Sequence, residues 1–254
     1  MTRTRRLVAT VALVAAGLAA APAPPASAAG LPPPPACPGS EQYPTADAGY
    51  GIPIANRIVN GTLTQGSTEI SNINATVCGI LQFPSLGADI PAADITYQNP
   101  ATLTAAGIVS SGQVYISASG PSIATTSSTP APNGGLIFTL TASTESTIDI
   151  GAIKVGPLGL PASVQCNVSL SAVFTTDPSK GGVALVGPLT GAQGTMYAPD
   201  GQVAIGSLTP ANPGDPADAT FCPILSDALG TNSHTNASFK APLDFYSTLT
   251  SLGG

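Results

Sequence analysis

The sequence predicts an all-β protein, an antiparallel β-sandwich or barrel, on three observations. Apolar residues recur at every second position along several stretches, Thr, Ser and Val crowd those stretches, and Gly/Pro-rich turn sequences interrupt them at short intervals. A period of two is what a strand with one buried face requires. Many such strands separated by tight turns have to stack as two layers or close on themselves.

The first residues are expected to stand outside that fold. "MTRTRR" supplies three arginines, Leu7 to Ala21 is an apolar run, and "APAPPASAAG" follows with small residues at the spacing a signal peptidase reads. This predicts a signal peptide over 1–29, with cleavage near Ala28–Ala29. Arg5-Arg6 lacks the residues that complete a twin-arginine signal, so general secretion is the expected route. Cys37 lies too far from the cleavage site to carry a lipid anchor. The expected location is secreted, either extracellular or associated with the cell wall.

Without the leader, four basic residues (Arg57, Lys154, Lys180 and Lys240) face thirteen acidic ones, a net charge of −9. Such a chain is repelled by phosphate backbones and anionic lipid, which argues against nucleic acid as a partner. No later apolar run reaches the roughly 18 residues of a transmembrane helix, and the aromatic girdles of a membrane β-barrel are missing. Charged residues are only 8% of the chain, but 43% are hydrophobic, so a packed core rather than disorder is expected. The richness in Ala, Gly, Thr, Ser and Pro is like that of exported proteins from high-GC bacteria.

Individual strands follow from phase. "GQVYISAS" sets Val114, Ile116 and Ala118 against Gln113, Tyr115 and Ser117. "GLIFTLTAS" alternates Leu136, Phe138 and Leu140 with Thr139 and Thr141. In "STIDIGAIKV" the phase slips at Gly151, from Ile148 and Ile150 to Ile153 and Val155, which predicts a bulge or tight corner. "NVSLSAVFT" places Val168, Leu170, Ala172 and Phe174 on one face. "PNGG", "DPSKGG", "APDGQ" and "NPGD" read as turns. The single helical candidate is "CPILSDALG", with Pro223 near its start and Gly230 as a C-terminal stop.

Three internal echoes occur in the same order in both halves. "GLPPPPAC" (Gly30 to Cys37) answers "GLPASVQC" (Gly159 to Cys166), and "GTLTQGS" from Gly61 answers "GPLTGAQGT" from Gly187. "ATVCGIL" (Ala75 to Leu81) answers "ATFCPIL" (Ala219 to Leu225), with five identities in seven. They predict two tandem related β-domains, 30–157 and 158–254, the first with an extra strand-rich segment over 83–155. Four cysteines in an exported chain read as two disulfides with three possible connectivities. The echoes select one per domain, Cys37 with Cys78 and Cys166 with Cys222. Zinc is disfavoured because structural zinc ligands lie two to four residues apart, whereas these cysteines are dozens apart.

Little here points to catalysis, and no cofactor or metal is expected. His234, the only histidine, sits in "GTNSHTNASF" among short polar turn residues, with no second histidine to share a metal. No Gly-x-Ser-x-Gly elbow occurs. Most acids sit in turn contexts, such as Asp177, Asp200 and Asp215, where turn geometry accounts for them. "NPGDPAD" and "TESTID" are oxygen-rich without the ligand periodicity of a calcium loop. The sequons at Asn60, Asn74, Asn167 and Asn236 read as products of Asn- and Thr-rich strands. The expectation is a non-catalytic binding or structural module at the cell surface or outside the cell, its partner an extracellular protein or envelope component. The alternative is a carrier of a lipid or small apolar ligand, which a pocket lined from several strands would favour. A carboxylate-dependent hydrolase is the third reading.

Overall fold

The computed structural model describes residues 51–82, 88–104, 109–119, 122–132, 134–155, 158–159, 163–187, 191–228, 230 and 237–247. The expected signal peptide, Cys37, His234 and the sequon at Asn236 lie outside these residues.

Alternation sets the strands. In the longest, β7 (Leu136–Val155), Phe138, Thr144, Ser146, Ile148 and Ile150 are buried, while Thr141, Ser143 and Glu145 between them are exposed. β9 (Val164–Thr175) buries Val164, Cys166, Val168 and Ala172 and exposes Gln165, Asn167, Ser169 and Ser171. The outward Thr and Ser side chains are β-branched or small, suit extended backbone, and bond across strands. The Thr147 hydroxyl donates to Asn167 at 2.9 Å, and the hydroxyl of Thr139 meets that of the buried Thr175 at 3.1 Å.

The remaining strands are β1 (Gly51–Gln65), β2 (Thr68–Gln82), β3 (Ala88–Tyr97), β4 (Ala101–Thr104), β5 (Val109–Ala118), β6 (Ser122–Pro130), β8 (Leu158–Gly159), β10 (Val183–Val186), β11 (Ala192–Ile205), β12 (Thr209–Pro210) and β13 (Ala237–Ser247). All pair antiparallel. β3 and β4 lie end to end along β2, and β6 and β5 lie end to end along β7. Counting each collinear pair as one stave, the ladder runs β9, β11, β13, β1, β2, β3/β4, β6/β5, β7 and back to β9. The sheet therefore closes into an eight-stave antiparallel barrel, which leaves no free edge around its wall.

Closure joins strands from both halves of the sequence. Two tandem domains are not seen among the described residues. The β7–β9 and β1–β13 ladders cross between 30–157 and 158–254 and make one sheet of them. The third sequence echo also adopts two different structures: Ala75–Leu81 lies in β2, whereas Ala219–Leu225 lies in helix α1 (Pro216–Ala228).

The helix begins earlier than the sequence suggested. The Asp215 carboxylate accepts the Ala217 N–H at 2.7 Å, and Pro216 opens the first turn. Pro223 sits mid-helix on the exposed side, where it removes one helical N–H donor. Gly230 follows the helix at φ 68, a backbone conformation suited to glycine. None of the described helices is long and apolar enough to cross a membrane.

One irregularity falls where the phase argument put it, and others fall elsewhere, among them those in β11 and β1. Between β5 and β7, Gln113 pairs Gly151 but Ser111 pairs Lys154, a bulge at the predicted slip. "APDGQ" is no terminal turn but a bulge inside β11, between Ala198 and Val203, with Gly201 at φ 93. In β1 the ladder shifts around Asn60, at φ 48, whose N–H is taken by Asn74 Oδ1 at 2.8 Å.

The "DPSKGG" turn is held by the Asp177 carboxylate, which accepts the Ser179 N–H at 2.9 Å. That bond keeps the carboxyl below its usual range. Gly182 closes the turn so tightly that an added Cβ would lie 2.6 Å from the Thr176 carbonyl carbon and 2.7 Å from Thr175 O. Both are backbone atoms that cannot rotate away. Gly182→Ala is expected to destabilise the protein by about 2–3 kcal/mol in chemical denaturation.

Candidate functional site: an apolar cavity inside the barrel

The barrel interior is not filled. A cavity of about 180 Å³ lies within it, lined from β1, β2, β3, β5, β6, β7, β9, β11 and β13. Its walls are mostly Ile, Leu, Val, Ala and Phe, and among the described residues none of the lining is charged. The space has a sequence cause. Ala124, Ala142 and Ala172 are directly paired neighbours on β6, β7 and β9, and the first two line the cavity. Where a close-packed core needs branched side chains, this belt supplies methyl groups. Beside the belt, Phe174 of β9, paired with Leu140, meets Phe239 of β13 edge to face at 5.3 Å.

Packed side chains close one end. Ile54, Phe138, Leu185, Ala192, Met196, Leu243 and Phe245 form one buried cluster, with the Phe138 and Phe245 rings 5.6 Å apart. Cys166 and Cys222 belong to the other cluster, where their disulfide ties α1 to β9. Asp218, buried at 3% exposure, accepts the Gln165 N–H at 2.8 Å and the Asn212 N–H at 3.2 Å. Ser226 Oγ accepts the Leu208 N–H at 3.0 Å, fixing a residue that itself lines the cavity. Cys78 is buried and disulfide-bonded, and its expected partner Cys37 is outside the described residues.

A few polar groups interrupt the apolar wall. Asn56, 5% exposed, has a side-chain oxygen without a hydrogen-bond partner among the described residues. Leaving such a group buried costs about 1–3 kcal/mol. Ser146 and Thr144 face inward from β7, and Tyr97 from β3. Burial pushes the Tyr97 phenol above the usual tyrosine range. Ser146 Oγ stands near enough to offset this partly, without meeting it in good hydrogen-bond geometry.

The neutral phenol is thus favoured in the folded state, while the unfolded chain ionises near pH 10. The stability tied to Tyr97 is fully present below about pH 10 and is lost as pH rises through the higher folded-state value. Tyr97→Phe is expected to flatten the alkaline limb of a plot of denaturation midpoint against pH. An unchanged limb would refute the assignment.

The sequence candidates fall elsewhere. "TESTID" is the middle of β7, with Thr144, Ser146 and Ile148 turned inward. "NPGDPAD" is a turn and helix start whose Asp215 and Asp218 serve backbone N–H groups. Among the described residues no group of three His, Cys, Asp or Glu side chains is placed to hold a metal ion. Asn56 and Ser146 were not singled out from sequence. Their signal was a polar residue in the inward phase of an apolar alternation: Ile54, Asn56, Ile58 in β1, and Ala142, Thr144, Ser146, Ile148 in β7. Against known protein families, characterised proteins and solved structures, the chain has no match.

Proposed function

We propose that the chain is an exported, non-catalytic carrier that holds a small apolar molecule inside its barrel. The observation that carries this reading is the cavity of about 180 Å³ with uncharged, mostly aliphatic and aromatic walls. A surface-associated structural module has no need of such a space, and closing it would add dispersion contacts and stability. The size favours a small guest. On the scale where a cavity of about 150 Å³ takes benzene, it suits about six to ten non-hydrogen atoms. The distribution of polarity also supports a carrier in water. β9 is apolar inside, β7 is so apart from Thr144 and Ser146, and both are rich in polar residues outside, the reverse of a membrane barrel with a polar lumen. The disulfide agrees with an oxidising, extracytoplasmic location.

Ala142→Phe tests this by filling the space from the alanine belt. The variant is expected to fold with the parent's circular dichroism and to bind propylbenzene at least about tenfold more weakly, a loss of about 1.4 kcal/mol. Equal affinity in parent and variant would place the binding site elsewhere.

A further inference from the structure

We infer that the cavity selects a neutral guest carrying one hydroxyl group, a phenol or compact alcohol, with the hydroxyl donating to Asn56. The inference deepens the carrier reading and rests on it. Three observations on the wall support it. Asn56 is 5% exposed, lines the cavity, and has a side-chain oxygen with no hydrogen-bond partner among the described residues. A guest that donates a hydrogen bond would satisfy that oxygen in a site where water competes poorly. Among the described residues the lining also contains no Lys, Arg, His, Asp or Glu. A carboxylate or ammonium guest would be desolvated without a counter-charge, which is far costlier than burying a neutral polar group.

The neutral choices narrow further. An ether, ester or ketone only accepts hydrogen bonds and leaves Asn56 Oδ1 as it stands. A hydroxyl donates to Oδ1 and keeps lone pairs for a second contact. Tyr97 and Ser146 are further hydroxyl-bearing residues on the same wall. A site built to bond a guest hydroxyl discriminates strongly against the analogue without it, because its own polar group is then left unpaired.

The experiment titrates the secreted full chain at about pH 7, where a phenol is neutral and a benzoic acid ionised, with 4-propylphenol, propylbenzene and 4-propylbenzoate. The parent is expected to bind the phenol at least about tenfold more tightly than propylbenzene, and the benzoate more weakly than either. In Asn56→Leu, close in shape and without the amide, the phenol should fall to within about threefold of propylbenzene, with propylbenzene binding retained. Equal binding of phenol and hydrocarbon by the parent would overturn the hydroxyl preference and leave the carrier reading standing. Tightest binding of the benzoate would overturn it as well. Binding of none of the three would overturn the carrier reading itself. The parent comparison needs no substitution, so it decides the matter even if Asn56→Leu does not fold.

Discussion

Replacing Cys166 and Cys222 together with alanine is expected to destabilise the protein by about 4 kcal/mol, read as a fall in the midpoint of urea denaturation. The bridge closes a loop of 56 residues, and cross-linking a loop of that length removes about this much chain entropy from the unfolded state. Against a typical net stability of about 5–15 kcal/mol, that is a large share. Native α1 keeps its other attachments, Asp218 to the Gln165 N–H and Ser226 to the Leu208 N–H. The double variant is therefore expected to fold with the helix docked but to release a bound guest faster. A loss below about 1 kcal/mol would mean that the unfolded chain is already compact around this loop.

Phe138→Ala is expected to cost about 3–5 kcal/mol. The side chain is 4% exposed, packs 5.6 Å from the Phe245 ring, and anchors the cluster that closes one end of the barrel. Its backbone N–H is held by Thr176 Oγ1 at 2.8 Å, so the strand has little freedom to collapse into the hole. The vacated volume adjoins the residues at that end of the cavity, including Leu140 and Leu243. The variant should thus accept a larger guest than the parent while being less stable. A destabilisation under about 1.5 kcal/mol would show that the end cluster relaxes around the loss.

Much of the wall was legible in the sequence because a strand with one buried face leaves a period-two record. The faces of β9 follow from "NVSLSAVFT", and the bulge in β7 follows from the phase slip at Gly151. Closure was not legible. It depends on β1 pairing β13, where Thr62 meets Lys240, and on the β7–β9 ladder, and neither leaves a local pattern. The echo of "ATVCGIL" in "ATFCPIL" does not carry over into local structure, for a related reason. The second copy follows Asp215-Pro216, a helix start, and precedes Gly230, whereas the first lies between two strands that pair with it. Context decides between strand and helix when seven residues serve either. The cavity was hidden because it arises from absent volume. Ala124, Ala142 and Ala172 look unremarkable until pairing sets them side by side.

The most direct measurement is a crystal structure of the protein purified from culture supernatant without added hydrocarbon or detergent. A carrier is expected to show density for one non-protein molecule between Leu140, Val168 and Phe239, with a polar atom at hydrogen-bond distance from Asn56. An interior packed solid by its own side chains, with Asn56 bonded to a neighbouring protein group, would contradict that reading.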